Sequence, residues 1–419
     1  EPGFFERTGF TLRLAARVVA IERRNHTVTT ADGEVLPYDK LVLATGSVPF
    51  VPPVPGRDRP HCFVYRTIED LEAMQASGAK SRTGVVVGGG LLGLECAKAL
   101  RDLGLETHVV EFAPRLMTVQ VDDGGGRVLK SKIEALGVHV HTSRNTVEIT
   151  DGAMARHRMV FSDGTHLEAD MIVFSAGIRP QDALARQCAL AIGPRGGVAI
   201  DEHCRTSDRN VYAIGECASW NDQTFGLVAP GYDMARVAAK HIAGDASASF
   251  AGADMSTKLK LMGVDVASIG DAQGRTPHCR NYQYIDERKQ VYKKIVVSDD
   301  GKRLLGAVLV GDAAEYGTLL QMALNGIALP EEPEFLILPS SDGKAKPGLG
   351  VDALPDGAQI CSCNNVSKGQ ICAAVGEGVC TIADMKACTK AGATCGGCVP
   401  LATQVMKADM TKRGMAVNN

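Results

Sequence analysis

Apolar positions recur in two rhythms along this chain. Short continuous apolar runs alternate with longer stretches in which apolar residues return every three or four positions. The first rhythm fits strands covered on both faces, and the second fits helices with one covered side. Val85-Val86-Val87, a helix-like stretch over 91–103, and Thr107-His108-Val109-Val110-Glu111 follow one another closely. A further helix–strand pair runs through 130–140, and Met171-Ile172-Val173-Phe174 closes the series. This alternation over 84–180 predicts an α/β unit with a doubly wound parallel sheet.

The flanks differ. Residues 11–44 read as several short strands, with Asp32-Gly33 as a hairpin-type turn and Leu41-Val42-Leu43-Ala44 as a buried strand. Pro49, Pro52, Pro53 and Pro55 exclude regular helix or central strand, so this stretch reads as a crossing between subdomains. Val211-Tyr212-Ala213-Ile214 is another strand, followed by a helix expected over 235–242. Residues 255–330 mix β-rich and helical patterns and read as a separate α/β domain. Residues 339–358, rich in Pro, Gly, Ser and Asp, mark a linker. The last 60 residues hold seven of the thirteen cysteines, the sharpest shift of composition in the chain.

Composition narrows the class. Hydrophobic residues make up 45% and charged residues 22%, ordinary for a soluble globular protein, and the net charge of −3 points to neither a nucleic-acid partner nor an anionic membrane. No apolar stretch approaches bilayer length, and Glu1-Pro2-Gly3-Phe4-Phe5 lacks the basic start of a secretory signal. An odd number of cysteines in a long chain with an ample core argues against a disulfide framework. A cytoplasmic protein with a metal or cluster site is expected.

Gly88-Gly89-Gly90-Leu91-Leu92-Gly93 fits GxGxxG. Alone this is a weak signal, and an unliganded glycine-rich turn is the bland reading. Here it follows a strand, opens a helix, and is followed by Glu111 at the end of the next strand. Gly88 allows the tight turn, Gly90 admits the pyrophosphate, and Gly93 permits close helix–strand packing. The helix N-terminus offers free N–H groups to the phosphates. Glu111 can accept from ribose hydroxyls and would repel a 2′-phosphate, which favours NADH; Arg115, close in sequence, keeps NADPH open.

A second GxGxxG, for FAD, is absent. Ala44-Thr45-Gly46-Ser47 after one strand and Gly215-Glu216-Cys217 after another supply two elements of a flavin site. Glu216 could bond ribityl hydroxyls, and Gly215 lets the backbone approach them. Ala44-Thr45-Gly46 alone reads as an ordinary strand exit; both together, around an inserted nicotinamide domain, are harder to dismiss.

Cys361-Ser362-Cys363 and Cys395-Gly396-Gly397-Cys398 give C-x-C and C-x-x-C, a four-thiolate set that suits zinc or an iron–sulfur cluster equally by spacing. The other cysteines (Cys62, Cys96, Cys188, Cys204, Cys217, Cys279, Cys372, Cys380 and Cys388) read as small buried hydrophobes. No C-x₄-C pair supports a redox-active disulfide.

The order of motifs resembles the two-dinucleotide pyridine-nucleotide flavoproteins. The chain is more closely similar to an internal segment of the large subunits of bacterial NAD(P)H-dependent nitrite reductases, through Tyr65 to Leu71, Gly88 to Glu95, Glu111-Phe112-Ala113-Pro114, Val211 to Trp220, Gly226 to Tyr232 and Lys258-Leu259-Lys260. The last segment resembles the bacterioferritin-associated-ferredoxin (BFD) type of domain, which tilts the four cysteines toward [2Fe–2S]. The resemblance implies a Rossmann-like flavoprotein core, an α/β C-terminal interface domain and a small helical [2Fe–2S] domain. It places a partial FAD-binding domain at 1–65, an NAD(P)H-binding domain at 66–182, and the second FAD part at 183–248. The interface domain is expected at 249–338, a linker at 339–357 and the BFD-like domain at 358–412.

By the same resemblance Glu95, Gly177 and Ile178 serve the nicotinamide, and Pro230 joins Ala44, Thr45, Gly46, Gly215 and Glu216 at the FAD. No general acid or base is expected. Such proteins begin with a strand–GxGxxG–helix for FAD and continue into a sirohaem and [4Fe–4S] domain that reduces nitrite to ammonium, with a small subunit as a further partner. The chain therefore reads as an internal fragment. A free-standing NADH:acceptor reductase, the electron-transfer subunit of an assimilatory nitrate reductase, and a non-catalytic zinc module remain as alternatives.

Overall fold

The computed structural model describes residues 9–339, 350–361, 364–394 and 396–416. The chain divides into two compact units, Glu1–Val48 with Ile178–Ala253, and Pro49–Gly177 with Asp254–Asn419.

In the first unit, Val18–Glu22, Thr27–Thr30 and Val35–Pro37 form an antiparallel meander. Gly33, at φ +87°, makes the Asp32-Gly33 turn that the sequence predicts. Leu41–Leu43 lies parallel to Val211–Ala213, Leu43 opposite Ala213. The helix Val228–Ile242 begins well before the expected 235. Pro230 sits in its first turn, where backbone N–H groups lack intrahelical partners anyway, so proline costs nothing there. Leu43, Val211, Tyr212, Met234 and Ala238 belong to one core.

The second unit carries a parallel sheet in the spatial order Cys62–Val64, Met171–Phe174, Thr83–Val87, Glu106–Val110, Val138–His141. Helices Leu91–Asp102 and Asp123–Ala135 connect its strands. The second of these starts earlier than expected, because Gly124, Gly125 and Gly126 disguise it. A Cβ on Gly124 would lie 2.4 Å from Tyr292 Cε2, and one on Gly125 would lie 3.1 Å from Val308 Cγ1. The glycines admit the neighbouring sheet at a propensity cost of roughly 1 kcal/mol each. A meander of Thr146–Asp151, His157–Phe161 and His166–Ala169 covers part of the other face.

Residues 255–330 contain five antiparallel strands in the order Thr257–Leu261, Val264–Gly270, Leu304–Val310, Val291–Val297, Arg280–Asp286, and one helix, Tyr316–Asn325. One face shares a core with Leu129 and Ile133 through Val266, Tyr292, Val308 and Val310; the other packs Ile269, Ile295 and Leu309 on Leu319 and Met322. Of the expected linker, 340–349 lie outside the described residues. Helices Lys368–Gly376, Ile382–Thr389 and Val399–Lys412 enclose their own core of Ile371, Met385, Val405 and Met406. Among the described residues, no helix is long and apolar enough to cross a membrane.

Adjacent lysines in the buried strand Val291–Val297 point to opposite faces, and each finds acids. Lys293 Nζ donates to Asp312 (2.6 Å) and Glu315 (2.7 Å). Lys294 Nζ, 5% exposed, donates to Asp122 Oδ2 (3.1 Å) and to the Ala272 carbonyl (3.2 Å). Asp122 also caps the helix through the Gly125 N–H and accepts from the Tyr292 hydroxyl at 2.7 Å. Burial alone would raise its carboxyl; the Gly125 amide, Tyr292 and Lys294 outweigh this and hold it below the ordinary 3.8.

Asp122→Asn leaves the Lys294 charge buried without its counter-ion and should destabilise this unit by roughly 3 kcal/mol near neutral pH. A depressed carboxyl contributes fully above its unfolded value and loses that contribution as pH falls through the folded one. The gap between wild type and variant in denaturant unfolding should therefore stay constant from about pH 5 to 8 and close in more acidic solution. A gap that widens on acidification, or no gap at neutrality, contradicts this account.

Candidate dinucleotide and cysteine sites

Thr83–Val87 stands between Met171–Phe174 and Glu106–Val110, where the order of connections reverses. In such sheets ligands bind in the crevice outside the carboxyl ends of the strands at this switch point. The glycine turn lies there. Gly88 has φ +120°, and a Cβ on it would lie 2.3 Å from the Ser175 carbonyl oxygen. A Cβ on Gly93 would stand 1.9 Å from the Gly88 oxygen, so only glycine lets the helix start this close. Gly90 faces the other way, with nothing within 4 Å of its Cβ position. It is the N-cap of Leu91–Asp102 and has no side chain to satisfy the first-turn amides. Open space before unsatisfied N–H groups fits a pyrophosphate.

Glu111 follows the neighbouring strand. Its Oε2 accepts from the Gly89 N–H at 2.5 Å and its Oε1 from the Ala113 N–H at 2.7 Å. The carboxylate thus braces the glycine turn from beside the cradle. Arg115 is committed elsewhere: Nη1 to Asp123 (2.6 Å), Nε to the Val121 carbonyl (3.1 Å) and Nη2 to Gln273 (3.3 Å). Glu95 keeps a solvent-open flank, but partial desolvation raises its carboxyl. Gly177, at φ +110°, ends one segment of this unit, two residues after Ser175, whose N–H bonds Val87. Ile178 opens the strand Ile178–Pro180 of the first unit.

In the first unit, the parallel register of Leu41–Leu43 and Val211–Ala213 delivers two exits side by side. Ala44-Thr45-Gly46 leaves one strand and Gly215-Glu216 the other. Gly46 (φ +67°) and Gly215 (φ +72°) both have open space on the Cβ side. Ser47 Oγ donates to Glu216 Oε2 at 2.6 Å, joining the two exits, and Thr45 Oγ1 donates to the Gln181 carbonyl at 2.6 Å. The start of Val228–Ile242 packs close by: a Cβ on Gly231 would lie 3.3 Å from Gly215 Cα, and Met234 Sδ accepts from the Gly215 N–H at 3.3 Å. Pro230 is buried in that turn, and the helix has no side-chain cap. Two open glycine turns and a positioned carboxylate fit a flavin's polar chain.

Cys361 is buried at the end of Gln359–Cys361, and Cys398 is the N-cap of Val399–Lys412. A hydrogen bond from the Cys398 thiol, opposed by burial and aided by the Gly392 and Asn364 amides, lowers Cys361 to about 5. Cys361 and Cys398 thus lie within hydrogen-bond reach of one another, as two thiolate ligands of one metal or cluster would. Cys363 and Cys395 lie outside the described residues.

Two positions escaped the reading of the sequence. Ser175 stands against the Gly88 turn, and Asn364 links Cys361 Sγ (3.8 Å) to the Lys390 carbonyl (2.8 Å) and Thr394 (3.0 Å). Only Asn364 carried a local signal, its place three residues after Cys361.

Comparison with known proteins agrees with this layout. Residues 5–241 match the pyridine nucleotide-disulphide oxidoreductase model, 256–326 the rubredoxin NAD+ reductase C-terminal domain, and 359–408 the BFD-like [2Fe–2S] binding domain. The chain is 57% identical over 418 residues to the nitrite reductase (NADH) large subunit of Escherichia coli (strain K12), covering 100% of this chain and 49% of that protein. It is 60% identical over 417 residues to the NAD(P)H nitrite reductase large subunit of Klebsiella oxytoca, covering 100% of this chain and 43% of that one. It thus spans about half the length of these relatives or less. A ferredoxin reductase from Rhodopseudomonas palustris superposes with a TM-score of 0.71 at 25% identity, over 82% of this chain and 83% of that one. With one model matched across both glycine-turn systems, the chain belongs to the pyridine nucleotide-disulphide oxidoreductase family, an FAD- and NAD-binding oxidoreductase with a [2Fe–2S] binding domain behind its core.

Proposed function

We propose that this chain is the electron-input portion of an NAD(P)H nitrite reductase. The observation that carries this reading is the presence, in one chain, of an open nicotinamide cradle, a pair of open flavin-type turns and a cysteine held toward thiolate. Relatives named nitrite reductase large subunits match it from end to end. When bound, the cofactors supply a hydride from nicotinamide to flavin, then single electrons to the cluster. The protein binds and orients; no side-chain proton transfer is required of it.

On this reading residues 66–182 hold the nicotinamide nucleotide. Gly88, Gly90 and Gly93 shape the phosphate cradle, Glu111 takes the ribose hydroxyls, and Glu95, Gly177 and Ile178 serve the nicotinamide end. Residues 1–65 and 183–248 hold FAD through Ala44, Thr45, Gly46, Gly215, Glu216 and Pro230. Residues 249–338 are the interface domain, 339–357 a linker, and 358–412 hold [2Fe–2S] on Cys361, Cys363, Cys395 and Cys398. Sirohaem and [4Fe–4S] would belong to a further domain that turns nitrite into ammonium, with the small subunit as partner. The cysteines among the described residues that remain free thiols support a cytoplasmic setting.

NADH is favoured over NADPH on this reading, because Glu111 stands beside the cradle while Arg115 is held by Asp123, Val121 and Gln273. Glu111→Gln keeps an acceptor for Gly89 but removes the charge. A lost charged hydrogen bond is worth roughly 1.5–3 kcal/mol, so kcat/KM for NADH should fall about tenfold or more relative to NADPH. An unchanged ratio would take Glu111 out of the ribose site.

Cys361→Ser should abolish the reducible iron–sulfur EPR signal and the transfer of electrons from NADH beyond the flavin, while NADH binding stays intact. Stoichiometric zinc without sulfide in the purified protein would instead make the segment a structural module. Nitrite-dependent NADH oxidation should appear only when a sirohaem domain is joined to the chain and should vanish in the Cys361→Ser form; its persistence there would sink the proposed route.

A further inference from the structure

A cluster of ligand-type side chains lies on the outer edge of the parallel sheet, apart from both dinucleotide sites. The strands Glu106–Val110 and Val138–His141 run parallel with His108 opposite His139 and Val110 opposite His141. Because side chains alternate, Glu106, His108, His139 and His141 share one face. Val138–His141 is the edge strand, so this face opens to solvent on one side. Glu106 begins its strand and His108 and His139 lie within theirs, short of the carboxyl ends where the glycine cradle lies; His141 ends its strand, and its carbonyl accepts the Glu111 N–H at 2.8 Å.

The distances are informative. Glu106 Oε1 is 3.6 Å from His108 Nε2 and 3.7 Å from His139 Nε2. Both are too long for hydrogen bonds. All three ligand atoms lie within 4.8 Å of one another, the one such trio among the described residues. Metal–ligand bonds of about 2.0–2.2 Å in a tetrahedral site set ligand atoms about 3.3–3.5 Å apart. Two sides of the triangle are therefore within a few tenths of an ångström of a zinc-type site. His139, with its side chain 56% exposed, can close the third by rotating.

His108 Nδ1 and His141 Nε2 are 3.1 Å apart, and with Nδ1–H donating, the His108 lone pair sits on Nε2, facing Glu106 and His139. The His108 ring stacks on His141 (5.4 Å), which holds its plane; it also stacks on His139 (4.6 Å), and turning the exposed His139 ring out of that stack is the movement that brings its lone pair onto a shared ion. A pocket of about 300 Å³ lined by Glu134, Gly137, His139 and His141 opens beside the edge strand. The cations that face His141, Arg144 and Lys130, are paired with Asp163 and Glu134.

We propose that Glu106, His108 and His139 form a binding site for a zinc-type divalent cation, with His141 as the positioning residue and the fourth coordination position open to solvent. Two imidazoles and a carboxylate suit a borderline cation better than calcium or magnesium, which prefer all-oxygen sets. The ion would clip the edge strand to its neighbour. This site is independent of the electron-transfer reading.

The test uses the full chain as purified, treated with a chelator that leaves its visible spectrum unchanged, then titrated with Co²⁺. One equivalent should bind with the d–d bands of nitrogen and oxygen ligands and without a thiolate charge-transfer band, and Zn²⁺ should displace it. His139→Ala and Glu106→Gln, both at solvent-exposed positions, should each weaken binding at least tenfold, and His141→Ala roughly 10–100-fold, the usual effect of removing an outer partner. The far-UV circular dichroism and the denaturant midpoint of the metal-free chain serve as the fold control and should be unchanged in all three. No nitrogen/oxygen spectrum in the wild type, a thiolate charge-transfer band as the only signal, or an unchanged titration in His139→Ala each overturns the proposal.

Discussion

The approach of Gly93 to the Gly88 carbonyl is the constraint on which the proposed nucleotide cradle depends. A Cβ at Gly93 would lie 1.9 Å from that oxygen, so the helix Leu91–Asp102 begins where no other residue would let it. Everything at the crevice follows from this seating. The first-turn amides are carried to the end of the strand, Gly90 is left facing open space, and Gly89 is placed so that its N–H reaches Glu111. Gly88 is fixed on its other side by the Ser175 carbonyl, from the strand that lies on the opposite flank of Thr83–Val87. The turn is wedged between two strands and one helix, and its backbone donors are aimed before a ligand arrives, which lowers the ordering cost of binding.

The same device recurs in a structural role. Gly124, Gly125 and Gly126 open the helix Asp123–Ala135 and let Tyr292, Val308 and Arg115 press onto its backbone. Helix propensity opposes them, and the sequence read locally placed this helix some residues late. Packing against a sheet more than 150 positions away decides the matter, aided by the Asp122 cap and its bonds to Tyr292 and Lys294. The cost of three glycines, roughly 3 kcal/mol, is within what burying two or three apolar side chains returns.

What was legible in the sequence was whatever chemistry is contiguous. The GxGxxG turn, its strand, its helix and the acid at Glu111 lie within one short segment, and each has a local signature. The two flavin-type turns were legible as a pair of motifs, but not their contact: Gly46 and Gly215 become neighbours through the parallel register of Leu43 with Ala213, and Ser47 acquires its partner Glu216 only then. The region after 255 read as mixed because Val264–Gly270, Val291–Val297 and Leu304–Val310 are covered on both faces, which erases the alternation that marks a half-exposed strand. Lysines at 293 and 294 added to the disguise, since their acid partners come from Asp122, Asp312 and Glu315.

Cofactor preference illustrates why residue type alone is an incomplete guide. Read as a sequence, Glu111 argues against a 2′-phosphate and nearby Arg115 argues for one, and the two signals compete. In the folded chain they do not compete, because Arg115 has been spent on Asp123 and on the Val121 and Gln273 oxygens, where it helps fasten the start of the helix Asp123–Ala135. Recruiting it to a phosphate would mean breaking a charged pair and two further hydrogen bonds first. Glu111 carries no such debt: each oxygen accepts one backbone N–H and retains a lone pair for a ligand hydroxyl. On the proposed reading the balance therefore tips by what each group is already doing, and the acid, braced beside the turn, is the one left with acceptor capacity for a ribose.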